Sequence, residues 1–340
     1  MKKTLLSVPC ILAIVLLQQA YTQEANTPWQ LPRTKDGHPD LQGVWSNATQ
    51  LPLQRPEQLG EKRAYTAEEA AAREARAALA AQRNNSPSDP NRSAPSDGNV
   101  AAAYNTFWLD RGNATALING EFRTSMIIDP PNGRIPWLPE AERIPNQLAR
   151  WLDGNGVNAF DGPELQTIGE RCLLFFDFRT SNSSAGPPMM PIAYNNNYQI
   201  VQTPGYVLIM AEMVHDARII RIDAQHGPAV HQKWMGDSIG HWEGDTLVVT
   251  TRNLHPQQSH YGSSDAVVIT ERFTRESQDQ IVYQFTMDDP SVYRQTWTAE
   301  MALRARPAEE RIYEYACHEG NYALQGILSG ARVQERDVHN

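Results

Sequence analysis

The stretch GDSIGHWEGDTLVV, residues 236–249, sets Asp237, His241, Glu243 and Asp245 in one short window beside Trp242. A tight turn accounts for Glu243, Gly244 and Asp245 as turn formers and for Trp242 as core. Nothing about a hairpin asks for an imidazole at 241. His241 is therefore expected to face an interior cavity and act as a general base near neutral pH. Such a base needs a carboxylate within about 3 Å or one water, and Glu212 is the first candidate.

Two further groups can do chemistry. In AEMVHDARIIR, residues 211–221, Glu212 interrupts an apolar run. If His215 and Asp216 form a two-residue loop, Met213 opposes Arg218 and Arg221 is a diagonal neighbour of Glu212. Glu212 then reads either as a structural partner of Arg221 or as a carboxylate poised in a cavity with its pKa raised. In CHEGNYAL, residues 317–324, His318 and Glu319 end a strand-like run, and Gly320–Asn321 lead into a helix. Free N–H groups there could hold an anion; Asn321 could equally be a plain cap. The candidate catalytic set is His241, Glu212, His215, Arg218 and His318. No metal or cofactor is expected. The nine histidines include no HExxH and no close Cys/His cluster, and His226, His231, His255 and His260 fall in loops. A Gly-rich phosphate loop and a Gly-x-Ser-x-Gly elbow are both missing from the sequence.

The elements that must position these groups are mostly strands. From Asn195 onward, short runs follow one another between turn residues: YQIVQT, YVLIMAEM, ARIIRID, TLVVTT, AVVITERF, QIVYQFTM, QTWTAEMAL and RIYEYACH. Ile281, Tyr283, Phe285 and Met287 share one face of their run. Trp297, Ala299, Met301 and Leu303 do so in the next. Period-two alternation at this spacing predicts a mainly β, antiparallel barrel or sandwich. Earlier strand signals are GVW at 43–45, RTSMIID before the turn Pro130–Gly133, and ERCLLFF. Residues 66–83, TAEEAAAREARAALAAQR, predict a peripheral helix with Thr66 as cap and Glu69 closing the box. Residues 84–99 are rich in Ser, Pro, Asn and Asp and predict an irregular segment. Residues 139–153 predict a short helix broken at Pro145, and residues 321–336 a helix packed on the barrel.

The 340 residues carry a formal charge of −9 and no Lys/Arg run, which argues against a nucleic-acid partner. Lys2 and Lys3 precede a mainly apolar run from Leu5 to Leu17, and small residues follow. That is the pattern of a secretory signal peptide over residues 1–22, too short to span a membrane. Only Cys172 and Cys317 then remain. An oxidising compartment would let them pair; two separate buried thiols are the alternative. The expected organisation is an N-terminal extension over 23–99 and a barrel with its C-terminal helix over 100–340.

Several stretches, YNTFWLDRG, RTSMIIDPPNGRIP, GERCL, WMGDSIGHWEGDTLVVTTRN and YEYACHEGNYALQGILSGAR among them, resemble a family of exported proteins of environmental bacteria. The resemblance covers most of the chain after Asn99 and implies a periplasmic or secreted location, but it brings no established activity. The two Gly-x-Trp sites, Gly43 to Trp45 and Gly240 to Trp242, together with the strand meander, resemble lipocalin-type barrels. That likeness implies an antiparallel barrel enclosing one small apolar or aromatic ligand. Three functions follow as expectations: a cofactor-independent acid–base lyase, isomerase or hydratase; a ligand-binding protein without catalysis; or a polysaccharide-binding protein with aromatics along an exposed groove. The first two differ in whether a His–carboxylate pair lies inside the cavity. The signal pattern predicts that exported protein begins between Ala20 and Ala25; intact-mass measurement checks this, and a retained Met1 refutes it.

Overall fold

A computed structural model describes residues 29–85, 91, 93, 109–142 except 111 and 113, 156–177 except 175, 182–183, 185–256 and 262–338. The signal-like segment and nearly all of residues 86–99 lie outside the described residues.

Small strands come first: β1 (Gly43–Ser46), β2 (Ala64–Tyr65), β3 (Leu117–Ile118), β4 (Glu121–Arg123), β5 (Ile127–Asp129), β6 (Phe176–Asp177) and β7 (Asn182–Ser183). The long strands are β8 (Asn197–Thr203), β9 (Tyr206–Ala211), β10 (Ala217–Ile222), β11 (Asp237–Glu243), β12 (Thr246–Arg252), β13 (Val268–Arg275), β14 (Gln280–Asp288) and β15 (Trp297–Ala305). β1 lies between β8 and β15, and with it strands β8 to β15 close into a barrel; β5 adds to the free part of β15. Trp45 pairs with Tyr198 on one side and with Ala305 on the other. Closure leaves the long strands no free edge. The first strand of the expected N-terminal extension thus belongs to the barrel wall.

The expected alternation holds. Ile281, Tyr283, Phe285 and Met287 on β14 and Trp297, Ala299, Met301 and Leu303 on β15 are all 0% exposed. Each large apolar side chain so placed contributes about 1.5–3 kcal/mol relative to exposure. Facing them are Leu247, Val249 and Thr251 of β12 and Ile269, Glu271 and Phe273 of β13, also buried. Gly240 is part of this packing: a Cβ there would lie 2.9 Å from Ile220 Cγ2.

Three strand expectations need correction. The barrel is mixed rather than purely antiparallel: β10 and β11 pair in parallel, Ile220 opposite Ser238, so residues 223–236 must return along the outside. RIYEYACH and most of ERCLLFF form turns and extended chain instead of strands, because neither carries the alternation seen in β14. The β9–β10 connection is wider than two residues: Met210 opposes Ala217, and a 3-10 turn over Met213–His215 fills the gap.

Two segments close the barrel ends. At the end bearing the Gly244–Asp245 hairpin tip, Arg33 pairs with Asp245 at 2.7 Å and His38 stacks on Trp242 at 4.9 Å. The buried Leu41 there donates its N–H to Gln202 at 2.6 Å. At the other end residues 185–190 are all buried, with Met189 and Met190 at 0% and 1% exposure.

Helix α1 (Ala67–Asn84) forms with its capping box complete, Thr66 and Glu69 each accepting the other's N–H. A short helix, α2, follows at Pro139–Glu142, and residues 143–155 lie outside the described residues. The last helix, α3 (Ala323–Val338), was expected on the barrel. The hydrogen bonds that hold it go elsewhere: Arg332 to Phe160 O at 2.7 Å, and Asn321, just before it, to Glu170 O at 2.9 Å. Cys172 and Cys317 are bonded, with Cα atoms 5.7 Å apart, inside the normal range for a bridge.

Candidate functional site

The five candidate residues do not come together. His241 stands on the outer wall, its side chain half exposed, because Gly240 and Trp242 take the inward positions of β11. Its carboxylate neighbour is Glu243 at 3.1 Å rather than Glu212. His241 and Arg272 together hold the Glu243 carboxyl below its ordinary pKa. This corrects the expectation of an interior His241 and supports the hairpin reading of its neighbours. His318 is exposed in the turn that precedes α3. His215 lies in the β9–β10 connection, where one ring nitrogen contacts Tyr313 O at 2.8 Å and the ring accepts the Tyr315 N–H at 3.0 Å. It fastens the C-terminal arm to the barrel. Glu212 is buried but pairs with Asn197, whose amide donates to it at 2.8 Å. Arg221 pairs instead with Asp237 at 2.7 Å, since the wider turn changes the register that would have set it beside Glu212.

Arg218 is the exception. It opposes Ile209 in register and so points inward. Its guanidinium makes a two-pronged pair with Glu271: Nη1 to Oε2, and Nη2 to Oε1 at 2.9 Å. The two side chains are 2% and 0% exposed. Burial opposes the Arg218 charge, yet Glu271 outweighs burial and lifts the guanidinium pKa above its ordinary value. The Tyr283 hydroxyl donates to Glu271 at 2.7 Å and accepts the Met189 N–H at 3.0 Å. Burial and the neighbouring Glu271 charge push that phenol well above its ordinary pKa. On the other side of Met189, Asn47 donates to both Met189 O at 3.3 Å and Tyr198 Oη at 3.2 Å. The Tyr198 phenol is likewise raised, by burial. Arg218 Nε and Asn47 Oδ1 are buried without a hydrogen-bond partner in the protein.

This interior group, Arg218, Glu271, Tyr283, Tyr198 and Asn47, is the best-built polar site among the described residues. Sequence reasoning found only Arg218. Glu271 carried a readable signal, since alternation in β13 sets it between Ile269 and Phe273 on the core face. Asn47 carried none: it lies just past β1, in a segment without periodicity.

A second polar cluster lies on the outer wall. Asp237 accepts from Arg221, from Lys233 at 3.0 Å and from Gly227 N at 2.9 Å, with His226 3.3 Å away. Burial opposes its charge, but these donors hold its carboxyl below the usual carboxylate range. The cluster staples the outer crossover to β11. No group of three or more His, Cys, Asp or Glu able to hold a metal occurs among the described residues. No family model, curated protein or solved structure matches the chain.

Two predictions follow from these environments. Glu271→Gln leaves Arg218 charged and unpaired in the core and is expected to cost about 3–5 kcal/mol in urea unfolding, whereas the volume-conserving Arg218→Met/Glu271→Leu pair is expected to be near neutral. A single-variant loss below about 1 kcal/mol would show that the pair is solvated. The second concerns Asp216, whose Oδ2 is buried without a partner and whose pKa burial raises from 3.8 to about 6. The folded state then holds its proton to higher pH than the unfolded state, so this group's contribution to stability falls as pH rises from about 4 to 6. Asp216→Asn is expected to gain stability over the parent across that window and to hold the gain above it. A variant-to-parent difference in thermal midpoint that stays flat from pH 4 to 7 would refute the assignment.

Proposed function

We propose that this chain is an exported, lipocalin-like ligand-binding protein that takes a small, largely apolar molecule into the barrel end beneath residues 185–190. The observation that carries this reading is the interior polar group of Arg218, Glu271, Tyr283, Tyr198 and Asn47, set among Phe285, Trp297 and the two methionines. A few polar groups converging in an apolar, aromatic surround is the usual composition of a small-molecule site. Export rests on the signal-like N-terminus and on the Cys172–Cys317 bridge, which suits an oxidising compartment.

Binding is favoured over acid–base catalysis by the placement of the histidines. Among the described residues two His–carboxylate contacts form, His241–Glu243 and His226–Asp237, and both lie on the outer wall. The raised phenols of Tyr198 and Tyr283 stay protonated near neutral pH and serve as hydrogen-bonding groups, not as bases. The polysaccharide reading has less support: among the described residues the exposed aromatics Trp29, Phe160, Tyr206, Tyr313 and Tyr322 are scattered along the chain, and Tyr206 alone of them lies on a barrel strand. No helix among the described residues is long and apolar enough to cross a membrane.

The test is titration of the protein with a panel of small apolar and aromatic compounds, read by intrinsic tryptophan fluorescence from the buried Trp45 and Trp297. At least one compound is expected to bind with micromolar affinity to the parent and at least 10-fold more weakly to the folded Arg218→Met/Glu271→Leu variant. Equal affinity for both proteins would place the binding site elsewhere and overturn the proposal.

A further inference from the structure

The Met189 backbone is held as a ligand would be held. Its N–H is bonded by the Tyr283 hydroxyl at 3.0 Å and its C=O by the Asn47 amide at 3.3 Å. Neither bond belongs to a strand or a turn; both come from side chains of the barrel interior. The donor and acceptor are themselves fixed from behind. Tyr283 is oriented by Glu271 at 2.7 Å, and Glu271 by Arg218. Asn47 also reaches Tyr198 at 3.2 Å. The side chains of Met189 and Met190 are 0% and 1% exposed. A backbone segment seldom enters a barrel core in this way, since its polar groups must then be satisfied by side chains. Here the N–H and C=O of one residue, on two successive peptide groups, are satisfied by two side chains, and two further polar atoms, Arg218 Nε and Asn47 Oδ1, are buried without a partner in the protein.

The geometry points to residues 186–190 as a built-in stand-in for the ligand, and to an acylated amino-acid amide with an unbranched apolar side chain, such as a short apolar peptide, as the ligand class. This rests on the binding reading above and specifies it. An incoming residue of that kind would displace Met189, donate the N–H of the amide before its Cα to Tyr283 and accept from Asn47 at the C=O of the amide after it. Arg218 Nε remains for an acceptor, and Asn47 Oδ1 for a donor, elsewhere on the molecule. The flexible, polarisable methionines suit an occupant that must leave, because they fill the space without interlocking as branched side chains do. Displacement also makes the apparent affinity of the intact protein lower than that of a protein whose segment is loosened, by the fraction of time the segment is out.

The experiment compares N-acetyl-Met-Met-methylamide with the analogue whose acetyl–methionine amide is replaced by an ester, which keeps the shape and removes the N–H that would face Tyr283. Both are titrated by calorimetry into the parent and into Met189→Gly/Met190→Gly, whose fold is verified by circular dichroism. The amide is expected to bind the double variant at least 10-fold more tightly than the parent, and at least 10-fold more tightly than the ester binds that variant. Adding Tyr283→Phe is expected to abolish the preference for the amide. Equal binding of amide and ester overturns the ligand class while leaving an apolar interior site in place. Hydrogen exchange of the unmodified protein provides a second measurement should the double variant fail to fold. The fragment covering residues 185–190 is expected to exchange at least 100-fold faster than the β14 fragment. Exchange at the same rate as β14 shows a permanent piece of core and overturns the stand-in assignment, and with no compound of the apolar panel binding, the binding reading falls with it.

Discussion

The Arg218–Glu271 pair ties β10 to β13, two strands that are not neighbours in the barrel wall. Two opposite charges with their side chains 2% and 0% exposed must solve their desolvation together. Removing either ion from water costs several kcal/mol even after relaxation, and only close geometry with extra hydrogen bonds offsets it. The two-pronged contact supplies the geometry. Tyr283 supplies a further bond to Glu271 and in turn fixes the Met189 N–H. Part of the interior at this end follows from that one demand: which way the Tyr283 hydroxyl points and where the Met189 N–H is fixed.

The outer wall solves a different problem with the same chemistry. Residues 223–236 leave β10 and return to start β11 in parallel beside it. A connection of that length on the surface needs anchoring, and Asp237 gathers Arg221, Lys233 and Gly227 N at the point where β11 begins. Lys233 is more than half exposed, so its single contact is worth little alone; the backbone N–H and the guanidinium do most of the holding. Thus two acidic residues that anchor the fold, Glu271 and Asp237, face opposite sides of the wall.

Much of this was legible in the chain itself. The alternation in β14 and β15 marked every inward residue correctly, because a half-buried strand cannot exchange its faces without burying polar groups. The capping box at Thr66 and Glu69 was local and therefore readable. What sequence periodicity could not carry was pairing between distant strands. It could not show β1 slotting between β8 and β15, nor the parallel step at β10–β11. The register of the β9–β10 turn was misjudged because Val214 and His215 adopt positive φ, 60° and 55°, which nothing in their side chains advertises. That one turn undid the expected Glu212–Arg221 neighbourhood. An imidazole is unusual at a hairpin and its chemistry argues for the interior, whereas the alternation through Gly240 and Trp242 assigns His241 to the outside. Glu271 shows the reverse: its position was readable and its partner was not.

The parallel pairing of β10 and β11 has a consequence of parity. Ten strands form the sheet, and setting aside the appended β5 leaves an odd-numbered ring. Strand directions cannot alternate all the way around an odd ring; at least one adjacent pair must run the same way. Eight of the nine contacts around this ring are antiparallel, and the mismatch is collected entirely at β10–β11. The crossover is thus the topological defect that an odd closure requires, placed at one site and stapled there. In evolutionary terms such a barrel can gain or lose a whole hairpin and keep its handed pattern, but the loss of any single strand would invert the requirement and leave the crossover with nothing to reconcile.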